Sequence, residues 1–185
     1  MKVIDTPLLG CKIIEPQVFG DERGFFMENW NRQRYAEAGI DVGFVQSNLS
    51  SSAKDVLRGL HFQYPNPQGK LVSVLSGEVL DVAVDVRKNS PTFGSWTGVV
   101  LSGENKKQFY VPEGFAHGFV VLSDTAMFSY LCTRLYAPEC EHSLLWNDPA
   151  IGIDWSCDAP QLSAKDQQGR LLSTFSDAEL PVFTP

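Results

Sequence analysis

The segment 50–70, SSSAKDVLRGLHFQYPNPQGK, holds residues suited to acid–base chemistry on a negatively charged substrate. Arg58 and Lys70 offer two cations, and His61 between them titrates near neutrality. A base of this kind flanked by cations fits proton transfer on an anion. The alternative is a histidine that packs or hydrogen-bonds in the core beside its aromatic neighbours. The spacing therefore predicts a candidate site, provided that the surrounding elements bring the three side chains together.

A second histidine follows a tight turn in the segment 111–119, VPEGFAHGF. Pro112, Gly114 and His117 have the spacing P-x-G-x-x-H, which resembles the second signature of the cupin jelly rolls. In many cupins this histidine binds a metal together with an H-x-H pair and a glutamate on an earlier strand. The earlier strand here has a single histidine, and the chain has three in all with no H-x-H pair, so we predict no metal. Spacing alone allows His117 a place either in the site or in the core.

Length and charge limit the classes of function. The chain has 185 residues and a mass of 20.5 kDa, which suits one domain with an ample core, and we expect residues 1–185 to form it. A net charge of −7 argues against a nucleic-acid partner, because binding a phosphate backbone needs a basic face. A small anionic ligand remains compatible, since two or three local cations are enough to hold it.

The cysteines and the apolar patterning bear on location. No C-x-x-C pair joins the cysteines, so we expect reduced and buried thiols at Cys11, Cys132, Cys140 and Cys157. The segment 1–17 lacks the long apolar run of a signal peptide. No other stretch approaches the length of a membrane span. We therefore expect a soluble, cytoplasmic protein with no membrane partner.

Most of the elements that must position these residues are predicted to be β-strands. Segment 79–87 alternates between an apolar face and a face with two aspartates, which meets either solvent or a wet cavity. We expect a hairpin from 71–76 and 79–87, a helix at 31–39 capped by Asn31, and a turn of helix near 176–180. The other strands are expected at 12–18, 24–30, 44–50, 56–63, 95–101, 108–111, 117–122 and 127–136. This pattern predicts an all-β protein with a cupin-type jelly roll, a double-sheet β-barrel whose mouth can hold a ligand.

One difficulty concerns the strand at 56–63. In a regular strand Arg58 and His61 point to opposite faces, because side chains alternate. Both can reach one pocket only if Gly59 marks a β-bulge or if the strand begins after it.

Six segments in order strengthen the functional hypothesis: VFGDERGFFMENW, KDVLRGLHFQ, SPTFG, VPEGFAHGF, LYAPECEHSLLWNDP and LSAKD. Across nearly the whole chain, this ordered set resembles the dTDP-4-dehydrorhamnose 3,5-epimerase family. The resemblance implies a metal-free cupin jelly roll without a cofactor that acts as a homodimer. It also implies a dTDP-4-keto-6-deoxy sugar as substrate, inverted at carbons 3 and 5 on the route to dTDP-L-rhamnose.

The resemblance assigns four catalytic positions. His61 falls on the position of the base and Asp166 on that of the carboxylate which orients it. Lys70 matches the residue proposed to hold the enolate oxygen, and Tyr130 matches the acid. Without the resemblance, Lys70 and Asp166 would be interpreted as solvated turn charges and Tyr130 as a core aromatic.

The resemblance also implies ten positions that bind the substrate. Cations are expected near the diphosphate, polar groups elsewhere along the ligand, and two aromatic rings beside the thymine. In this family the segment 23–28 reaches into the site of the partner subunit, although from sequence alone Arg23 and Glu28 would be a surface pair. The ten positions are Phe19, Arg23, Phe26, Glu28, Gln46, Asn48, Arg58, His117, Glu141 and Lys165.

Other functions stay open at this point. Relatives within the class invert one carbon only, or shift the ketone, and motifs do not separate them. A metal-dependent cupin oxygenase or isomerase is disfavoured by the missing H-x-H pair. A sugar-nucleotide-binding jelly roll without activity is disfavoured by the complete set of four catalytic positions.

Overall fold

The computed structural model describes residues 1–184, in which thirteen β-strands, two short α-helices and two 3₁₀ turns follow one another. The strands are β1 (Lys2–Asp5), β2 (Lys12–Glu15), β3 (Val18–Asp21), β4 (Gly24–Met27), β5 (Gln46–Ala53), β6 (Leu57–Gln63), β7 (Lys70–Ser76), β8 (Glu78–Asp85), β9 (Trp96–Ser102), β10 (Gln108–Val111), β11 (Phe115–Val121), β12 (Thr125–Cys132) and β13 (Glu141–Ser143). The α-helices are α1 (Arg32–Glu37) and α2 (Ala164–Gln167), and the 3₁₀ turns span Pro138–Cys140 and Leu172–Thr174.

The strands form two large sheets that face each other. One has the order β1-β2-β10-β7-β12-β5 and the other the order β13-β6-β11-β8-β9, while β3 and β4 form a separate hairpin. The neighbouring strands pair antiparallel throughout. This arrangement confirms the predicted all-β jelly roll of the cupin type.

Apolar side chains fill three layers. The central layer joins residues of both sheets, with Phe109 and Phe128 from one and Phe119 from the other. A second layer covers the outer face of the five-stranded sheet with the C-terminal segment 144–180. The third places α1 over β2, β7 and β10, where Tyr35 is buried. Two covered sheet faces explain why several strands are apolar on both sides.

Strand β8 is buried on both faces, which settles where its aspartates point. The apolar side chains at positions 82, 84 and 86 pack under the C-terminal segment. Asp81 and Asp85 on the other face are each 0% exposed. The polar face of the predicted alternation therefore meets the protein interior and not bulk solvent.

The predicted hairpin of residues 71–76 and 79–87 is wrong. Strand β7 pairs with β10 and β12 in one sheet, whereas β8 pairs with β9 and β11 in the other. The connection between them at Gly77 crosses from sheet to sheet, with φ of +77° and no room for a Cβ. The partners of β7 are β10 and β12, which lie far along the chain, and β8 pairs with the next strand β9 and with β11.

Other predicted elements differ in extent. Helix α1 is confirmed, and its cap Asn31 accepts a hydrogen bond from the backbone N–H of Arg34 at 3.1 Å. The strand predicted at 44–50 is β5 (Gln46–Ala53), which continues beyond residue 50 because Ser51, Ser52 and Ala53 pair with β12. Residues 176–180 form a turn, and the second α-helix is α2. None of the helices in residues 1–184 has the length and apolar character needed to span a membrane.

Candidate active site

A bulge in β6 brings Arg58 and His61 to the same cavity. His61 lies opposite His117 of β11, and Arg58 lies opposite Phe119. Between these pairs, Gly59 and Leu60 of β6 face the single residue Gly118 of β11. Gly59 sits in this bulge with φ of +122°, and a Cβ there would lie 2.6 Å from the Gly118 Cα. The bulge that the sequence required at Gly59 is therefore present.

The cavity lies between the two sheets and has two adjoining lobes of about 540 and 320 Å³. His61, Lys70 and Tyr130 line both lobes, so they stand where the lobes meet. The larger lobe adds the side chains of Arg58, His117, Lys165 and Asp166. The smaller lobe adds those of Gln46, Asn48, Gln63, Gln68, Tyr136 and Glu141. Ten of the fourteen predicted site residues thus line a single cavity.

Asp166 holds the imidazole of His61. The His61 Nε2 lies 2.6 Å from Oδ1 of Asp166, and Ser163 Oγ donates to the other carboxylate oxygen at 2.8 Å. Ser163 also caps α2, since its Oγ accepts from the Asp166 backbone N–H at 3.1 Å. Burial alone would raise the pKa of Asp166, but the hydrogen bonds from His61 and Ser163 lower it below its ordinary value. The carboxylate therefore stays charged and fixes the ring.

The other ring nitrogen of His61 is left to the cavity. His61 Nδ1 lies 4.0 Å from Oε1 of Glu141, beyond hydrogen-bond reach. Glu141 already pairs with Lys165 and accepts from the Tyr136 hydroxyl at 2.7 Å. Although burial raises the pKa of Glu141, these hydrogen bonds lower it overall. His61 Nδ1 is therefore the nitrogen positioned to exchange a proton with a ligand.

Lys70 and Tyr130 enter the cavity from the opposite sheet. Tyr130 lies on β12 between Asn48 of β5 and Val72 of β7. Burial raises the pKa of Tyr130 and lowers that of Lys70. A base from one sheet and a phenol and an amine from the other can reach opposite faces of a ligand held between them.

His117 takes part in a second pair with an aspartate. Its Nε2 lies 2.9 and 3.0 Å from the two carboxylate oxygens of Asp81, and both residues are buried. Within residues 1–184, no group of three His, Cys, Asp or Glu side chains could hold a metal ion. His117 therefore lines the cavity, and its ring is hydrogen-bonded to the carboxylate of Asp81.

Four predicted site residues lie outside this cavity within one chain. Phe19, Arg23 and Phe26 belong to the β3–β4 hairpin, and Glu28 follows it. Phe19 and Phe26 are 62% and 70% exposed, and Arg23 pairs with Asp21. The hairpin pairs with neither large sheet. A role for these four residues in binding remains the prediction made from the resemblance.

Sequence reasoning missed several residues of the site. Ser163 precedes Asp166 by three positions, a spacing typical of a helix cap, which could have predicted α2. Tyr136 and Gln63 line the smaller lobe without any local pattern. Asp81 was placed on the polar face of its strand, but its partner His117 is 36 positions away.

Fold and site together define an acid–base enzyme of the cupin type. The cavity places an imidazole oriented by a carboxylate against a phenol and an amine from the facing sheet, groups that can transfer protons.

Comparison with known proteins specifies the family. The model of the family described as dTDP-4-dehydrorhamnose 3,5-epimerase matches residues 5–174. The Salmonella typhimurium protein of that name is 59% identical over 175 residues, 93% of this chain and 96% of the relative. The chain belongs to the dTDP-4-dehydrorhamnose 3,5-epimerase family, and so to the isomerases of sugar nucleotides.

Solved structures agree with this assignment. The epimerase of Legionella pneumophila, in complex with dTDP-4-keto-L-rhamnose, has a TM-score of 0.97 at 54% identity, covering 100% of this chain and 99% of that one. A 3'-monoepimerase from Streptomyces bikiniensis, in complex with dTDP-quinovose, has a TM-score of 0.88 at 36% identity, covering 96% of this chain and 91% of that one. The fold is therefore shared by epimerases that differ in the carbons they invert.

Proposed function

We propose that the protein inverts carbons 3 and 5 of dTDP-4-keto-6-deoxy-D-glucose, a step in the synthesis of dTDP-L-rhamnose. The observation that supports this proposal most directly is the placement of His61 and Tyr130 on facing sheets around one cavity. Inversion requires a base on one side of the sugar ring and an acid on the other. The substrate class follows that of the Legionella relative, which binds dTDP-4-keto-L-rhamnose.

The chemistry needs only proton transfer, because the 4-ketone acidifies the hydrogens on carbons 3 and 5. His61 Nδ1 takes the proton from carbon 3, and the electron pair of the C–H bond moves into an enolate on the carbon 4 oxygen. Lys70 donates a hydrogen bond to this oxygen, a contribution of about 3–4 kcal/mol in a water-excluded site. Tyr130 returns a proton to the opposite face. Proton exchange with solvent then restores neutral His61 and the Tyr130 phenol, and the same cycle inverts carbon 5.

The remaining side chains of the cavity bind the nucleotide. Arg58 and Lys165 suit the oxygens of a diphosphate, for which a guanidinium fork is well shaped. Gln46, Asn48 and Glu141 offer polar contacts in the smaller lobe. His117 contributes to the wall of the larger lobe. No resident cofactor is required for this cycle.

A second copy of the chain completes the site in this proposal. The β3–β4 hairpin presents two exposed phenylalanines and Arg23, a combination suited to a base and a phosphate. Within its own chain the hairpin lines neither lobe of the cavity. We therefore place Phe19, Arg23, Phe26 and Glu28 in the site of a partner subunit of a homodimer. A cytoplasmic location belongs to the same proposal, supported by four cysteines that form no disulfide.

Proton NMR of the reaction with dTDP-4-keto-6-deoxyglucose in heavy water tests the function. We expect deuterium at carbons 3 and 5 and inversion at both. Exchange or inversion at carbon 3 alone would support the alternative of a single-carbon epimerase, which the Streptomyces relative represents. Movement of the ketone would indicate a ketoisomerase. Absence of any exchange would contradict the whole proposal.

A further inference from the structure

The side chain of Arg58 joins the two sheets at the edge of the cavity. Arg58 lies on β6 of the five-stranded sheet, and its Nε donates a hydrogen bond at 3.0 Å to Ser52 Oγ on β5 of the six-stranded sheet. Within residues 1–184, the two terminal nitrogens of this guanidinium donate to no protein acceptor, and no carboxylate forms an ion pair with it. The protein therefore holds the guanidinium by one nitrogen and leaves the other two to the larger lobe, which Arg58 lines.

Ser52 belongs to the inward face of β5. Burial alternates along this strand: Ser52 is 7% exposed, whereas its neighbours Ser51 and Ala53 are exposed. Ser50, two positions earlier on the same face, lines the larger lobe, but Ser52 lines neither lobe. Ser52 can therefore act on a ligand of the cavity through the guanidinium that it contacts.

The bond at Nε determines which edge of the guanidinium can meet a ligand. Two edges of this group carry parallel N–H donors: one pairs Nε with a terminal nitrogen, and the other pairs the two terminal nitrogens. Because Ser52 Oγ accepts from Nε, the first edge cannot give both of its donors to one oxyanion. The second edge remains complete, and it has the fork geometry that suits phosphate oxygens.

We propose that Ser52 is a positioning residue for substrate binding: it fixes the guanidinium of Arg58 so that both terminal nitrogens meet the diphosphate. This inference rests on the proposed function, in which Arg58 binds that group. Arg58 is an exposed residue, so packing restricts its long side chain little. A side chain that is held before the ligand arrives loses less conformational entropy on binding. Ser52 therefore contributes to affinity although it touches no substrate.

Calorimetric titration with dTDP tests the proposal, because dTDP carries the diphosphate and its binding needs no turnover. Ser52→Ala should raise the Kd for dTDP about 3- to 10-fold, the range expected when one more long side chain must be ordered on binding. In steady-state assays, KM for the sugar nucleotide should rise by a similar factor. We expect kcat to change little, since the diphosphate is remote from the reacting carbons.

Ser51→Ala is the matched control, because it makes the same change one position earlier on β5, on the exposed face. This variant should bind dTDP as the wild type does. The double variant Ser52→Ala/Arg58→Ala shows whether Ser52 acts through Arg58. We expect it to have the same Kd as Arg58→Ala alone, because no guanidinium is left to position.

A wild-type Kd in Ser52→Ala, or a loss of affinity that is equally large with and without Arg58, would overturn the inference. If Ser52→Ala does not fold, Ser52→Cys replaces it, since a thiol occupies similar space but accepts hydrogen bonds weakly. A wild-type protein that binds dTDP but epimerises no sugar would refute the proposed function, while the comparison of Kd values would still decide the role of Ser52. A wild-type protein that does not bind dTDP would refute both.

Discussion

His61 and Tyr130, to which the proposed function assigns proton transfer, differ in how firmly their surroundings hold them. His61 is hydrogen-bonded through Nε2 to the carboxylate of Asp166, which also accepts a hydrogen bond from the Ser163 hydroxyl. Tyr130 stands on a strand between two neighbours, and packing holds its ring near Phe128. The imidazole is therefore oriented by a chain of hydrogen bonds, whereas the phenol is oriented by its strand and its packing contacts.

Solvent exchange distinguishes these two roles. His61→Ala should abolish both inversion and deuterium exchange, because no enolate forms without the base. Tyr130→Phe keeps the ring and removes the hydroxyl, so inversion should fall by about 100- to 10,000-fold while some exchange persists. Proton NMR in heavy water measures both events in one sample.

The control for this pair is the fold of each variant, checked by circular dichroism. Exchange by a folded His61→Ala would contradict the assignment of the base. Inversion at the wild-type rate by Tyr130→Phe would contradict the assignment of the acid.

At the scale of the element, the bulge of β6 determines whether the site can form. It reverses the alternation between Arg58 and His61, so that the guanidinium and the imidazole share one side of the strand. Without it, one of the two side chains would point into the layer under the C-terminal segment.

Gly59→Ala should therefore damage both stability and activity. The left-handed φ of +122° strains any Cβ, and the Gly118 Cα at 2.6 Å leaves no space for one. We expect a loss of about 2–4 kcal/mol in the free energy of unfolding, measured by urea titration. Gly43→Ala is the control, because a Cβ there meets nothing within 4 Å. Equal stabilities for the two variants would contradict the bulge.

The β3–β4 hairpin provides a test of subunit exchange. Arg23→Ala should raise KM far more than it lowers kcat, because a remote diphosphate contact supplies mostly uniform binding. Mixing Arg23→Ala with His61→Ala subunits should restore activity, since each mixed dimer would contain one site with both residues intact. If the mixture is no more active than the two single variants, the hairpin does not contribute to the site of the partner subunit.

At the scale of the whole molecule, the donor set of the cavity bears on cofactor use. His117 is bonded to Asp81, and within residues 1–184 no cluster of three potential ligands could hold a metal. We expect turnover to survive exhaustive dialysis against a chelator. Metal analysis of the dialysed protein verifies that no metal is left. Loss of activity that one specific metal restores would contradict this expectation.

The buried tyrosines predict how the fold responds to alkali. Burial raises the pKa of Tyr35 and of Tyr110 to about 12. In the unfolded chain these phenols ionise near pH ~10, so the stability that they contribute is complete below that value and lost as pH rises towards 12. Urea unfolding between pH 9 and 12, with absorbance at 295 nm, should show a falling free energy. In Tyr35→Phe the slope should be shallower, and a flat profile in the wild type would contradict the assignment.

Much of the architecture could be predicted because it depends on local patterns. Fewer than about ten consecutive residues are enough to predict the alternation in β8, the cap at Asn31 or the required bulge at Gly59. The crossing at Gly77 was not predictable in this way, since both partners of β7, the strands β10 and β12, lie far along the chain. Helix α2 has four residues, too few to show a helical pattern of apolar positions, so only the cap spacing of Ser163 and Asp166 marks it in the sequence. Resemblance to a family supplied Asp166 and Tyr130, whose local sequence suggests a turn and a core strand.

The contact between His61 and Asp166 joins positions that are 105 residues apart. Every strand of both sheets precedes Ser163 in the chain, so Asp166 is synthesised after all of the strands. We therefore expect enzymatic activity to appear only once the segment that carries Asp166 is in place. On the ribosome, where synthesis runs from the first residue to the last, His61 is made before the carboxylate that orients it. During refolding, we expect the recovery of turnover to follow the docking of this segment against His61.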